Sequence, residues 1–350
     1  MDLDGLREEI RKRDLEIIRL ISERTELAKQ IGGIKLEQGL PIRNVDVEKK
    51  VKARYAEEGS KHGLSEELMM SVASAVIQEA VDSESKLIRS DCSKRIAVIG
   101  GAGKMGAWTA RFLKDHGHDV TIIDPAIEGG SSMDECASMD VVIVSTPIYT
   151  VSGILCELDG ICGKDTLIFD LSSLKTPSLK TLKDMASRKK VCSMHPMFGP
   201  SATSLYDRNL IFCDCGNKEA VDEAMSLFDD NGGNIRVMDV AEHDGYMSYV
   251  LGLTHAVNIA LFTVLERSGF TFDDLRTVAS TTFNKGLDTN RSVASEDPML
   301  YYEIQHMNGN REEMWSLFTE AVNDLRKASM SDDPELFCKL MDAGREYFRQ

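Results

Sequence analysis

Three sets of residues have types and spacings that can do chemistry. The first is Gly101, Gly103 and Gly106, at G-x-G-x-x-G spacing between the apolar run Arg95–Ile99 and a helix-compatible stretch from Ala107 to His116. One glycine suits a tight turn, one lets backbone N–H groups approach a pyrophosphate, and one permits close packing of helix on strand. Lys104 and Met105 lie inside the turn, where the positive end of a helix meets a phosphate. A second apolar run, Asp119–Ile123, ends at Asp124, about where an acid accepts hydrogen bonds from an adenosine ribose. A carboxylate there repels a 2′-phosphate, so the expected cofactor is NAD rather than NADP.

The second set lies near the N-terminus. No proline interrupts the chain from Asp4 to about Lys35, and Leu6, Ile10, Ile17, Leu20, Ile21, Leu27 and Ile31 recur at helical spacing. The pattern predicts one helix on the order of 45 to 50 Å long. Arg24 and Lys35 fall near the middle of its apolar stripe, about 16 Å apart along the axis and pointing the same way. Buried cations are costly unless an anion meets them, so the pair can close on one small dianion from two ends. Arg7 lies about a quarter-turn away and suits the pocket of an antiparallel partner instead. Snorkelling of each long side chain to the helix edge is the plainer alternative. Such a helix needs a partner chain to cover it, which implies a homodimer or a higher homo-oligomer.

The third is His195, which follows a strand-like run around Lys190 to Met194 and precedes a proline that biases it toward extended backbone. A lone histidine is often structural. At a sheet edge facing a nicotinamide, a neutral imidazole suits removal of a hydroxyl proton.

These sets need elements to hold them. Val141–Ser145 reads as a strand buried on both faces, ending in Thr146 and Pro147, and Thr166–Asp170 reads as another, running into Ser173. Ligands bind at the carboxyl ends of such strands, so Pro147, Ser173 and His195 are aimed at one rim. Helices are expected from about Val45 to Glu58 and from Ser65 to about Leu87, with a short linker over Ser83 to Ser93. Beyond Ala241 the chain should be helical: a long, largely buried helix from Met247 to Val264, then Phe272 to Phe283, Met299 to Met307, Glu312 to Ala328 and Pro334 to Phe348.

The whole composition narrows the partners. A formal charge of -16 argues against nucleic acid or an anionic membrane. The eight cysteines show no paired C-x-x-C spacing, and Cys213 and Cys215 are too close for a usual zinc pair, so no metal and mostly buried thiols are expected. No apolar leader and no run of membrane-spanning length is apparent, which predicts a cytoplasmic protein. With nothing further after residue 350, any feedback inhibition is expected at the cleft or through the dimer.

The segments LREEIRKRDLEIIRLISERTELAKQIGGIK and GLPIRNVDVEKK resemble the all-helical chorismate mutase family over nearly all of residues 1 to 90. By motif position the resemblance implies that Arg7, Arg24, Lys35 and Glu48 contact substrate, with Arg7 donated across a dimer and Glu84 beside the ether oxygen. Asn44, Val47 and Ala80 depart from the common bacterial pattern of an acid, an arginine and a serine. Glu84 donates only when protonated, so mutase turnover is expected to fall as pH rises and Glu84→Gln to flatten that profile. VIGGAGKMG, VVIVSTPI, DLSSLK, HPMFGPSATSL and AEHDGYMSYVLGLTHAV resemble successive blocks of prephenate dehydrogenases. Together the two resemblances match the bifunctional chorismate mutase/prephenate dehydrogenase family. That implies a multidomain chain: a three-helix all-α mutase-like domain (1–90), an α/β Rossmann NAD domain (91–240) and an all-α dimerisation domain (241–350). It further implies that His195 bonds the C4 hydroxyl of prephenate with support from Ser173, and that Arg291 binds a carboxylate. His255 is substrate-facing by the same match, or a satisfied core histidine. Another dehydrogenase of this sheet, such as one for arogenate, and a non-catalytic helical module remain the alternatives.

Overall fold

The computed structural model describes residues 2–90, 92–229 and 231–349. Helix α1 (Leu3–Glu37) is the single long helix expected, opened by Asp2, whose carboxylate accepts from Gly5 N at 2.8 Å. Helix α2 (Val45–Lys61) is capped by Asn44, whose side-chain oxygen accepts from Asp46 N and Val47 N. Helix α3 (Glu66–Ser85) starts at the cap Ser65 and packs against both others. On α1, Leu6, Ile10, Ile17, Leu20, Leu27 and Ile31 are each half or more exposed, a continuous apolar face that one chain leaves uncovered.

A seven-stranded sheet follows, in the order β2-β1-β3-β4-β5-β6-β7. Strands β1 (Arg95–Ile99), β2 (Asp119–Ile123), β3 (Val141–Val144), β4 (Leu167–Asp170) and β5 (Val191–Pro196) are parallel. The order reverses between β2 and β3, with β1 in the middle, so the ligand crevice of such a sheet lies beyond the end of β1. Helix α4 (Lys104–Asp115) leaves that end. Strand β6 (Asn209–Asp214) runs antiparallel to β5, and β7 (Asn234–Asp239) forms the edge. The sequence reading had not drawn these two strands. Ile96, Val98, Leu113, Ile143, Phe169, Phe212 and Phe228 form the core.

Two compact units result. Met1–Thr146, Gly153–Ser172 and Thr181–Met238 form the first, so the N-terminal helices and the sheet belong together. Pro147–Ser152, Ser173–Lys180 and Asp239–Gln350 form the second. Hydrogen bonding explains the two short inclusions: Glu303 accepts from Ile148 N at 3.1 Å, and Asp244 accepts from Lys175 N at 2.9 Å and Thr176 N at 2.6 Å.

The second unit corrects several expectations. The helix expected over Met247–Val264 spans Val240–Arg267 as α8 (Val240–Met247), a π-helical turn (Ser248–Leu253) and α9 (Thr254–Arg267). It is long and apolar enough to cross a membrane by length and composition, contrary to the reading that no such run exists. Nor is it largely buried, since Val250, Val257 and Val264 are exposed. Its apolar character serves packing against α11 (Thr281–Ala294) and α13 (Arg311–Ser329). The helix expected from Phe272 to Phe283 is two: α10 (Phe272–Thr277) ends before Ser280, which caps α11 by accepting from Phe283 N. Helices α12 (Pro298–Met307) and α14 (Glu335–Tyr347) fall where expected.

Candidate active sites

The first site is a cavity of about 540 Å³ bounded by all three N-terminal helices. Arg24 and Lys35 of α1, Glu48 of α2 and Glu84 of α3 all line it. Arg24 Nη1 donates to the carbonyl of Val76 at 2.6 Å, which fixes the guanidinium between α1 and α3. Lys35 Nζ donates to Ile42 O at 2.6 Å and to Glu84 Oε2 at 2.8 Å. An ammonium only donates, so Glu84 Oε2 accepts from Lys35. An anion bound in the cavity therefore competes with Glu84 for Lys35.

Arg7 does not join the cavity: its guanidinium pairs with Asp4 at 3.2 Å on an exposed turn. This agrees with its helical phase. Val47 and Ala80 line the cavity with apolar groups, and Asn44 has its side-chain oxygen committed to capping α2. Arg54 lines it too and was missed. Its signal was available: it follows Val47 by two helical turns and so shares a face with it.

The second site begins at the glycine turn. Gly100, absent from the motif reading, has a φ of +77°, and a Cβ there would lie 2.3 Å from Ser145 O at the end of β3. A Cβ on Gly106 would lie 2.2 Å from Gly100 O. The turn is thus cleared of side chains next to Ser145 and Thr146. Gly103 occupies the N-cap of α4 and Lys104, Met105 and Gly106 its first turn, with no side chain capping them. Asp124 accepts from Ala102 N at 3.0 Å and Ala126 N at 2.9 Å, which holds its carboxylate beside the turn with lone pairs to spare. A backbone cradle at a helix N-terminus with an acid alongside fits NAD.

His195 is buried near the end of β5, in register with Ile211 of β6. Its surroundings are organised by Asp170, which the sequence reading passed over. Asp170 is fully buried and accepts from Ser193 Oγ at 2.6 Å and from Ser172 Oγ and N at 2.5 and 2.9 Å, tying the exits of β4 and β5 together.

The second unit carries Pro147, Ser173, His255 and Arg291. Ser173 is half-buried and lies two residues before the backbone that Asp244 grips. Burial works to raise the Asp244 pKa, but hydrogen bonds from His243 and Thr176 hold the carboxyl below its usual range. His255 follows the π-helical turn and stacks on Tyr301, ring centroids 3.9 Å apart. Burial pushes its imidazole down to about 4, and its Nδ1 has no hydrogen-bond partner among the described residues. It is buried, yet it is not a satisfied core histidine. Arg291 is exposed in the last turn of α11, 5.3 Å from the Phe272 ring centroid, not in a loop. It lines a separate apolar cavity of about 320 Å³ with Phe262 and Phe283, and His255 is not among that cavity's residues.

A doubly wound sheet with a dinucleotide cradle defines an NAD-dependent oxidoreductase, here joined to a helical module with a cation-lined cavity. Residues 6–85 match the family of type II chorismate mutases, 109–237 the nucleotide-binding domain of prephenate dehydrogenases, and 239–343 their dimerization domain. The T-protein of Haemophilus influenzae is 29% identical over 306 residues, covering 86% of this chain and 80% of that protein. A T-protein from Enterobacter agglomerans is 26% identical, covering 87% and 81%. A crystal structure of prephenate dehydrogenase from A. aeolicus, solved with hydroxyphenyl propionate and NAD+, aligns with a TM-score of 0.58 at 21% identity. It covers 74% of this chain and all of that one, and shows the shared fold. The chain belongs to the bifunctional chorismate mutase/prephenate dehydrogenase family. It is an isomerase and an NAD-dependent oxidoreductase of tyrosine biosynthesis, converting chorismate to prephenate and prephenate to 4-hydroxyphenylpyruvate.

Proposed function

We propose that the two reactions use the residues described above, in domains bounded at 1–90, 91–240 and 241–350. The observation that carries the mutase assignment is the convergence of Arg24, Lys35, Glu48 and Glu84 on one cavity. Chorismate bears two carboxylates and rearranges without covalent catalysis, so the site must hold it folded and stabilise a polarised transition state. Arg24 holds one carboxylate. Lys35 leaves Glu84 for the substrate, a protonated Glu84 donates to the ether oxygen, and Glu48 accepts from a substrate hydroxyl. Arg7 completes the site from a second copy, whose α1 covers the exposed apolar face.

For the dehydrogenase, NAD supplies the hydride acceptor. Gly101, Gly103, Lys104, Met105 and Gly106 hold the pyrophosphate, Asp124 binds the ribose, and Thr146 and Pro147 border the nicotinamide. His195 takes the C4 hydroxyl proton as hydride leaves that carbon. The electron-poor ring then loses its carboxylate as carbon dioxide and becomes aromatic. Ser173 is assigned a supporting role in that reaction. Arg291 binds a carboxylate, and His255, neutral at pH 7, is substrate-facing by the family match. The enzyme works as a cytoplasmic homodimer or larger homo-oligomer.

A second reading takes the helical module as a non-catalytic sensor fused to an arogenate-type dehydrogenase. Its support is the apolar lining at Val47 and Ala80. Assays of Arg24→Ala decide between them. Loss of chorismate turnover with prephenate oxidation retained fits the first reading; a parent chain that leaves chorismate untouched while parent and variant oxidise prephenate alike fits the second.

A further inference from the structure

The mutase cavity is lined by the N-terminal segment alone, yet one of its lining residues is braced from outside that segment. Glu48, one of its lining acids, is buried and reached from behind by groups outside the cavity. Arg43 Nε donates to Glu48 Oε1 at 3.0 Å, and the hydroxyl of Tyr206 donates to Glu48 Oε2 at 3.2 Å. Tyr206 belongs to the sheet domain, in the segment between β5, which carries His195, and β6. The same segment fixes Arg43: Nη2 donates to Asp207 Oδ1 at 3.1 Å, and the guanidinium lies 4.8 Å from the Tyr206 ring centroid. Arg43 Nη1 donates to Gly232 O at 3.0 Å and Asn234 Oδ1 at 2.9 Å. All five donors of a guanidinium lie in one plane, so these partners leave Arg43 a single orientation.

We propose that Tyr206 is a positioning residue of the mutase: with Arg43, it holds the Glu48 carboxylate in place, so the dehydrogenase domain completes the mutase site. Resting on the assignment of Glu48 to that site, the inference adds a residue 158 positions away in sequence. The phenol suits the task. Burial, and next the Glu48 charge, push its pKa up to about 12, so the hydroxyl stays a donor at every working pH. Its ring also packs on the small cluster of Ile42, Ile77 and Val81, which ties the turn before α2, and α3, to the same segment. Arg43 Nη2 also reaches Glu48 Oε2, but at 3.5 Å, so the Tyr206 hydroxyl is the nearer donor to that oxygen and its loss leaves Oε2 weakly held.

The test uses the full chain and three variants, Tyr206→Phe, Glu48→Gln and the double variant. Tyr206→Phe keeps the ring and removes only the hydroxyl. It should raise the KM for chorismate by roughly ten-fold, the usual effect of losing a hydrogen bond to a charged group. Oxidation of supplied prephenate should stay at the parent rate, which reports intact folding. The double variant should be no worse than Glu48→Gln, because the hydroxyl acts only through that carboxylate. An unchanged KM in Tyr206→Phe beside an impaired Glu48→Gln overturns the inference and leaves the mutase assignment standing. Additive losses in the double variant also overturn it. An unimpaired Glu48→Gln overturns the assignment of Glu48 itself.

Discussion

The two halves of this enzyme solve the problem of placing charge differently. In the mutase cavity Arg24 and Lys35 stand on one unbroken helix, their separation set by helical repeat, and Arg54 joins them from α2. In the dehydrogenase the assigned residues leave strand ends in one compact unit and helices in another, each held by a buried carboxylate. Asp170 fixes the strand exits near His195, and Asp244 fixes the segment after Ser173. The lesson is that helical phase sets the spacing of Arg24 and Lys35, whereas Glu48 and the segments leaving the sheet depend on polar anchors that do no chemistry themselves.

Variants can break or sharpen this contrast. The largest effect is expected from His195→Asn, which should lower prephenate oxidation by about a thousand-fold, in the range of lost general-base catalysis, while prephenate affinity and mutase turnover persist. Steady-state assays of both reactions check it, and a fully active variant removes His195 from the mechanism. Arg24→Ala should come next, lowering chorismate turnover on the order of a hundred-fold with the dehydrogenase untouched. Asp124→Ala should reduce preference for NAD over NADP by roughly ten-fold, the worth of a charge-assisted hydrogen bond, read as the ratio of kcat/KM for the two cofactors. The smallest effect concerns pH and stability. The His255 imidazole titrates at about 4 in the fold against 6.5 ordinarily, so the unfolded chain binds more protons between those values. Its contribution is complete above pH 6.5 and is lost as pH falls toward 4. The Tm should therefore fall less with acid in His255→Phe than in the parent.

Much of this was legible in the residues, for physical reasons that also mark the limits. The phase of α1 carried Arg24, Lys35 and the exclusion of Arg7, because period 3.6 is unambiguous over 35 residues. The glycine spacing carried the cradle and α4. Gly100 escaped because its demand is a close approach to Ser145, a residue from another strand, which no local spacing records. Arg43 and Tyr206 escaped for the same reason, since their meeting depends on which domains pack together. β6 and β7 were missed because a reading tuned to parallel strands stops at the last βα unit. The helix over Val240–Arg267 was located but misjudged in burial: an apolar face left open by one chain has the same composition as one buried within it.

The central claim is that one chain performs both reactions in sequence. The most direct measurement gives the purified protein chorismate alone and follows its disappearance, then adds NAD and follows NADH. The expected result is loss of chorismate without NAD, followed by NADH formation once NAD is present. Persistence of chorismate, with NADH produced only from supplied prephenate, would contradict the claim and leave the helical module without a catalytic role.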